Sequence, residues 1–353
     1  MSDFAKGYYP SKKIYIPRTE GSLPPRRNPR GRPLRKKRGI SRKNVAFGIL
    51  IFIFAIASFL IFWPKKNESI LVSALSQSRE SVSVSSISSD SYRDRIGNEI
   101  YSHNALLIDL TDRKIIAEKN SAEMVYPASL TKIMTVLVAL ENINDFDGSF
   151  KIDEELNQHL IRENASVVGF AVGEPMTVED MLYGTMLASG ADAAAGLACY
   201  VCGSQDAFVE LMNQKAQQIG MKNTHFANVT GLHDEDHYTT PIDFAKLLEY
   251  ALKNEKFYQI FTTKQYTTSK TEQHRYGISV SATWLTSLQK ENKECEYILG
   301  GKTGFTDEAA QCLATLAEKS GKEYILLTFG AGGGSRAKMH HLLDAVQIYD
   351  RFI

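Results

Sequence analysis

Cysteine is scarce: four occur in 353 residues, and only Cys199 and Cys202 stand close together. That rules out a disulfide-dense scaffold. A CxxC inside a helical pattern, with no further ligands at metal spacing, is not a zinc site and reads as two buried thiols one helical turn apart. A net charge of one sign is missing too, since 41 lysines and arginines face 40 acids. The balance averages two unlike regions. Residues 1–44 carry 14 basic residues against Asp3 and Glu20, a sum of +12, so the other 309 residues carry −11.

The basic segment includes Pro10, Pro17, Pro24, Pro25, Pro29 and Pro33 and has almost nothing to bury, which predicts a disordered tail over 1–44. A nucleic-acid-binding arm would have the same charge, but the apolar run directly after it argues against that reading. Val45 to Trp63 is 19 residues without a charge, close to the ~20 that span a bilayer. A soluble core rarely holds a helix of that length that is apolar all round. The basic flank precedes the span, which places the N-terminus in the cytoplasm and everything after Pro64 outside. Phe62-Trp63-Pro64-Lys65-Lys66 lacks a small-residue cleavage site, so residues 45–63 read as an uncleaved anchor. Eleven serines between Ser69 and Ser91 mark 64–95 as a flexible linker. Residues 96–353 form the body, long enough for a substantial core. Outside the cytoplasm a disulfide is permitted without being required.

Within the body, Ala105–Leu110 and Lys114–Glu118 flank a compact turn, as a β-hairpin does. Pro127 precedes a helical pattern through Ile133, Val136, Leu137 and Leu140. The middle predicts helices over Val178–Val201, Gln205–Ile219 and Pro241–Asn254. Strands return at Gln311–Ala317 and Tyr324–Phe329, and a final helix covers Arg336–Tyr349. The simplest arrangement is a sheet built from the first and last thirds, with a helical insertion between them.

Three polar clusters could carry chemistry. Ser129-Leu130-Thr131-Lys132 puts a hydroxyl in the first turn of a helix, with an amine three residues on along the same face. An acylating serine needs a base and amides that stabilise negative charge. Taken alone, SxxK is in many proteins a cap plus a solvated lysine. Lys302-Thr303-Gly304 follows Gly300-Gly301, and glycines allow close backbone approach to a ligand. By itself KTG is a tight turn with an exposed lysine. Ser189-Gly190-Ala191-Asp192 stands at a helix start, where serine is a good cap.

An SxxK serine followed by KTG is the signature of penicillin-binding serine enzymes. Residues 103–352 resemble the low-molecular-mass D-alanyl-D-alanine carboxypeptidases, exported peptidoglycan enzymes that penicillins acylate. The resemblance runs through Tyr126–Thr135, Met186–Ala194, Thr224–Asn228, Gly231–Asp234 and Lys302–Ala309. It implies a β-lactamase/transpeptidase-like α/β fold, a mainly antiparallel sheet flanked by helices with a helical subdomain. It implies that Ser129 is the nucleophile, Lys132 its general base and Ser189 a proton relay. Lys302, Thr303, Gly304 and Phe305 would bind substrate, with Lys302 and Thr303 on its terminal carboxylate and the Phe305 amide in the oxyanion hole. Arg336 would be a further basic residue for that carboxylate. The implied partners are stem peptides ending in D-Ala-D-Ala, β-lactams as covalent inhibitors, and a bilayer through 45–63. No metal, organic cofactor or nucleic acid is expected.

One position departs from the family, which usually has Ser-Gly-Asn where this chain has Ser189-Gly190-Ala191. A methyl group can hydrogen-bond neither Lys132 nor a substrate amide. That keeps a slow or non-catalytic penicillin-binding wall protein in view. A β-lactamase would share SxxK and KTG and needs a glutamate for deacylation, for which Glu210 has a tempting spacing. His233-Asp234-Glu235-Asp236-His237 could suggest a zinc peptidase but reads more simply as a solvated acidic turn.

The topology can be checked on intact cells. Added protease should remove the region after Pro64 and spare the basic tail, and salt washing should leave the full chain in the membrane fraction. A protected body with a digested tail would reverse this orientation.

Overall fold

The computed structural model describes residues 94–143, 145–333 and 338–353. The basic tail, the apolar run 45–63 and the linker to residue 93 lie outside them, as does Arg336. Among the described residues no helix is long and apolar enough to cross a membrane.

The chain enters the sheet with β1 (Asp94–Arg95), just ahead of the expected body start at 96. The expected hairpin follows as β2 (Asn104–Asp109) and β3 (Lys114–Lys119), paired antiparallel. The last third supplies β8 (Ile298–Thr306), β9 (Ala310–Lys319) and β10 (Lys322–Ala331). Ser320 and Gly321 join β9 to β10 with φ of 56° and 77°, the left-handed pair that suits a two-residue hairpin turn. The strand order is β1-β3-β2-β10-β9-β8. Only β1 pairs parallel to its neighbour, so the sheet is mainly antiparallel. The first and last thirds meet where β2 pairs with β10.

Helices cover this sheet. After β4 (Ser149–Phe150), β5 (Met176–Thr177) and the helices of the middle region come α6 (Pro241–Leu252) and α7 (Glu255–Thr262). Next are a small hairpin of β6 (Gln265–Thr267) and β7 (Ser279–Ser281), and α8 (Thr283–Lys290). The last helix is α9 (His340–Phe352). α6 packs on β10 and β2, and α9 on β10 and β9. All six residues of β2 are buried, as are Gln311–Ala317 in β9, the continuous burial of strands covered on both faces.

The helical subdomain is centred on α1 (Lys132–Asn142), whose residues from Lys132 to Ala139 are all buried. Burial all round explains why it reads as a solid apolar block with one lysine at its head. Around it lie α3 (Val178–Leu187), α4 (Ala191–Cys202) and α5 (Gln205–Gln218), with α2 (Glu154–Arg162) outside against α4. Starts are capped as side-chain chemistry predicts. Thr177 and Asp180 form a reciprocal capping box on α3, and Thr240 caps α6 ahead of Pro241.

The expected single helix Val178–Val201 is in fact two, broken at Ala188-Ser189-Gly190. The competitor is the segment before β5. Ala191 N donates to Ser166 O at 2.7 Å, while the Asp192 carboxylate accepts from Val168 N at 2.9 Å and Gly169 N at 3.0 Å. These bonds draw the chain out of helical register, and Ser189 takes a left-handed φ of 58°. The cysteines are also more open than expected, since Cys199 and Cys202 are half-buried free thiols on α4.

Asp344 on α9 ties down the chain before β2. Its carboxylate accepts from Tyr101 N at 2.9 Å, and from Ser102 N at 2.7 Å and Ser102 Oγ at 2.5 Å, the two Ser102 bonds being buried and the Tyr101 bond partly so. Asp344→Ala would strand three donors and should cost roughly 2–4 kcal/mol. Urea denaturation of the soluble body checks this, and a midpoint unchanged from wild type would refute it.

Candidate active site

Ser129 lies in a 3-10 turn, Ala128–Thr131, that leads directly into α1. Ala128 carries a left-handed φ of 47°, a conformation alanine rarely adopts. Two glycines hold the turn from either side. A Cβ on Gly231 would lie 1.9 Å from Ala128 O, and one on Gly304 would lie 3.1 Å from both Ala128 Cβ and Ser129 N. The Ser129 turn is therefore clamped between a loop and β8. KTG lies within a strand with its lysine buried, not in the tight turn with an exposed lysine that it suggests by itself, and β8 is at the edge of the sheet.

Lys132 Nζ is 3.0 Å from Ser129 Oγ and donates to Thr230 O at 2.6 Å. Burial lowers its pKa to about 7, and the negative charge of Asp192 partly opposes that. The amine is thus partly neutral at neutral pH, and its lone pair can accept the serine proton. Lys302 is also fully buried, donating to Ser189 Oγ at 2.9 Å and to Thr303 O at 2.6 Å. Burial first, and then the nearby charge of Lys132, hold it well below the ordinary lysine range. Thr303 Oγ1 meets Thr283 Oγ1 of α8 at 2.7 Å.

These groups face one cavity of about 810 Å³ whose walls include Ser129, Lys132, Ser189, Ala191, Thr303 and Phe305. Every expected site residue within the described range is in or against it, with Gly304 beside Ser129 and Lys302 on Ser189. Ser189 is not the helix cap. Gly190 has that position and makes no side-chain capping bond. Ala191 is on the cavity wall, so its methyl leaves open space where an amide would reach. Asp192 turns away, as its helical position predicts, and is occupied by Val168 and Gly169. Glu210 is exposed on α5 and does not line the cavity. Arg336 lies outside the described residues.

Two contributors have no clear signal in the sequence. Thr230 presents a backbone carbonyl, which has no side-chain signature. It is aimed by Asn228, whose Oδ1 accepts from Thr230 N at 3.1 Å and Gly231 N at 2.7 Å while its Nδ2 donates to Leu232 O at 2.9 Å. An Asn three residues before a glycine is a readable turn signal. His237 belongs to a run that reads as a solvated acidic turn. Asp234, Glu235 and Asp236 are indeed exposed, but His237 is buried against Thr131 of the Ser129 turn. Among the described residues no cluster of three His, Cys, Asp or Glu is placed to hold a metal.

A sequence profile of the D-alanyl-D-alanine carboxypeptidase family matches residues 90–333. The D-alanyl-D-alanine carboxypeptidase DacF of Bacillus subtilis is 36% identical over 230 residues, covering 65% of this chain and 57% of DacF. DacA of Escherichia coli, of the same printed activity, is 31% identical over 242 residues, covering 66% and 57%. The chain therefore spans a little over half the length of these curated relatives. The crystal structure of a Streptomyces DD-transpeptidase superposes with a TM-score of 0.65 at 28% identity, covering 72% of this chain and 98% of that one.

The position of Lys132 gives a pH signature. Acylation by a labelled penicillin should rise with pH as Lys132 loses its proton, level off above about 7, and fall about tenfold per unit on the acid side. Lys132→Ala should lower the rate by roughly 10²- to 10⁴-fold. Stopped-flow acylation across pH checks both, and a flat profile would remove Lys132 as the base.

Proposed function

This chain belongs to the D-alanyl-D-alanine carboxypeptidase family, and from that premise we propose that it is a serine-type carboxypeptidase that removes the terminal D-Ala of peptidoglycan stem peptides. The observation carrying the reading is the pairing of two buried lysines with two serines around one cavity, Lys132 with Ser129 and Lys302 with Ser189. In this reading Ser129 Oγ attacks the carbonyl of the penultimate D-Ala and Lys132 takes its proton. The amides of Ser129 and Phe305 hold the oxyanion, a contribution of several kcal/mol in comparable sites. Ser189 passes a proton to the departing D-Ala nitrogen, and water hydrolyses the acyl-enzyme. Lys302 and Thr303 bind the substrate's terminal carboxylate, with Arg336 as a further basic contact. A buried ammonium without a counter-charge is costly, and the arriving carboxylate relieves that cost, so substrate binding and charging of Lys302 support each other.

The proposal includes the setting of the enzyme. Residues 1–44 form a cytoplasmic basic tail, 45–63 a single-pass anchor in the cell membrane, and 64–95 a spacer. The catalytic body of 96–353 then works outside the cytoplasm on the cell wall and shapes it, with β-lactams as covalent inhibitors. The alternative of a slow or non-catalytic penicillin-binding protein rests on Ala191. Glu210 is exposed and off the cavity wall, which does not favour a β-lactamase.

Incubating the body with diacyl-Lys-D-Ala-D-Ala should release D-Ala, and Ser129→Ala should abolish both release and penicillin labelling. Ala191→Asn should raise kcat/KM for acylation by roughly 5- to 150-fold, the worth of one well-placed bond of ~1–3 kcal/mol. No acylation of either protein by peptide or penicillin would establish the non-catalytic reading. Loss of activity on installing Asn would mean the pocket is built around alanine.

A further inference from the structure

His237 uses both ring nitrogens, and the donors around it leave one way to place its proton. Ala227 N donates to Nδ1 at 3.1 Å, so Nδ1 is bare and Nε2 carries the hydrogen. Nε2 is 2.7 Å from Thr131 Oγ1, and Thr131 Oγ1 is 2.8 Å from Ala128 O. A carbonyl can only accept. The threonine O–H therefore points at Ala128 O, and its lone pair receives Nε2–H. The result is a directed chain, Ala227 N–H to His237, His237 to Thr131, and Thr131 to the carbonyl of Ala128. That carbonyl belongs to the residue immediately before Ser129, held at a φ of 47°.

We propose that His237 is a positioning residue for the nucleophile. Through Thr131 it holds the left-handed turn that presents Ser129 to Lys132 and to β8. The inference rests on the reading of Ser129 as the acylated residue. An ordinary core histidine would account for the burial of the ring, which is 2% exposed, and for its edge-on contact with Phe226 at 5.6 Å. It would not require both nitrogens to be spent on a path that ends at the nucleophile turn. Burial lowers the pKa to about 4, with Asp234 opposing and His225, His233 and Lys132 reinforcing the shift. The ring is accordingly neutral at working pH. A second proton on Nδ1 would face the Ala227 N–H and break the chain at its first link. Thr131 itself is fully buried beside this path, so no solvent water replaces a lost donor.

Two substitutions separate the nitrogens. His237→Gln carries an amide N–H out to about the Nε2 position and can still donate to Thr131. His237→Asn reaches only the Nδ1 position, satisfying Ala227 and leaving Thr131 without its donor. His237→Asn should slow acylation of Ser129 by a labelled penicillin by roughly 10- to 100-fold, the size expected when a reacting group is displaced by about 1 Å. On the peptide substrate the loss should appear in kcat rather than KM, and His237→Gln should restore most of it. Thr131→Val should produce a similar loss, and adding His237→Asn to it should change little, since both cut one path. Should His237→Asn fail to accumulate as folded protein, Thr131→Val and His237→Gln still decide the matter. A wild-type rate in Thr131→Val, or in His237→Asn, overturns the proposal. So do equal losses in the Asn and Gln variants that track their melting temperatures, the result expected of a core histidine. Wild-type protein that takes no label at Ser129 overturns the proposed function itself and this inference with it, whereas a labelled wild type with unaffected variants overturns only the inference.

Discussion

Two lysine amines, Lys132 and Lys302, are buried beside one cavity, and among the described residues no carboxylate is hydrogen-bonded to either. An ammonium so placed loses its hydration, which favours the neutral form of both; the charge of Lys132 adds to this at Lys302, while Asp192 partly opposes it at Lys132. Each amine instead has one carbonyl oxygen and one serine hydroxyl. This arrangement costs folding free energy and supplies what acyl transfer needs, an amine that can take a proton near neutral pH and a second site short of negative charge. The serines owe their chemistry to the lysines, and the lysines owe theirs to being dry.

Keeping them dry and aligned is the task of the surrounding fold. Lys132 begins a helix buried on all sides, and its amine is held between Ser129 Oγ and the Thr230 carbonyl. Lys302 sits in an edge strand whose neighbour β9 is buried almost end to end. Backbone approaches at Gly231, too close for a side chain, and at Gly304, tight for one, set the Ser129 turn between these two supports. The strained Ala128 is thus over-determined from several directions, as local strain at a functional site must be.

Ala191 does not disturb this arrangement in the resting protein. Lys132 keeps two partners without an amide at 191, and Asp192 is committed to the loop at 168–169. In the proposed function, what the methyl would remove is a contact to substrate and a third bond to the amine. Both would act mainly as charge develops during the reaction, so the position bears on rate more than on fold.

Local features of the chain were legible because short-range physics suffices for them. Residues spaced three apart share a helix face, which paired Ser129 with Lys132 before any fold was known. A compact turn marked the first hairpin, and the expected bounds of α5 and α6 lie within two residues of those observed. The association of Ser129, Ser189 and Lys302 was readable only through family resemblance, since nothing local brings together groups 60 and 113 residues apart along the chain. The break at Ser189 was invisible because the residues around it have helical periodicity, and the competing bonds come from Ser166, Val168 and Gly169 across a loop. The Thr230 carbonyl belongs to the backbone, which every residue shares. His237, in a run of acids, has the look of a solvated side chain until the loop folds it under the nucleophile turn. The sequence by itself determined which groups could react; desolvation, strain and the direction of hydrogen bonds depend on the whole surroundings of an atom, and only the tertiary structure decided them.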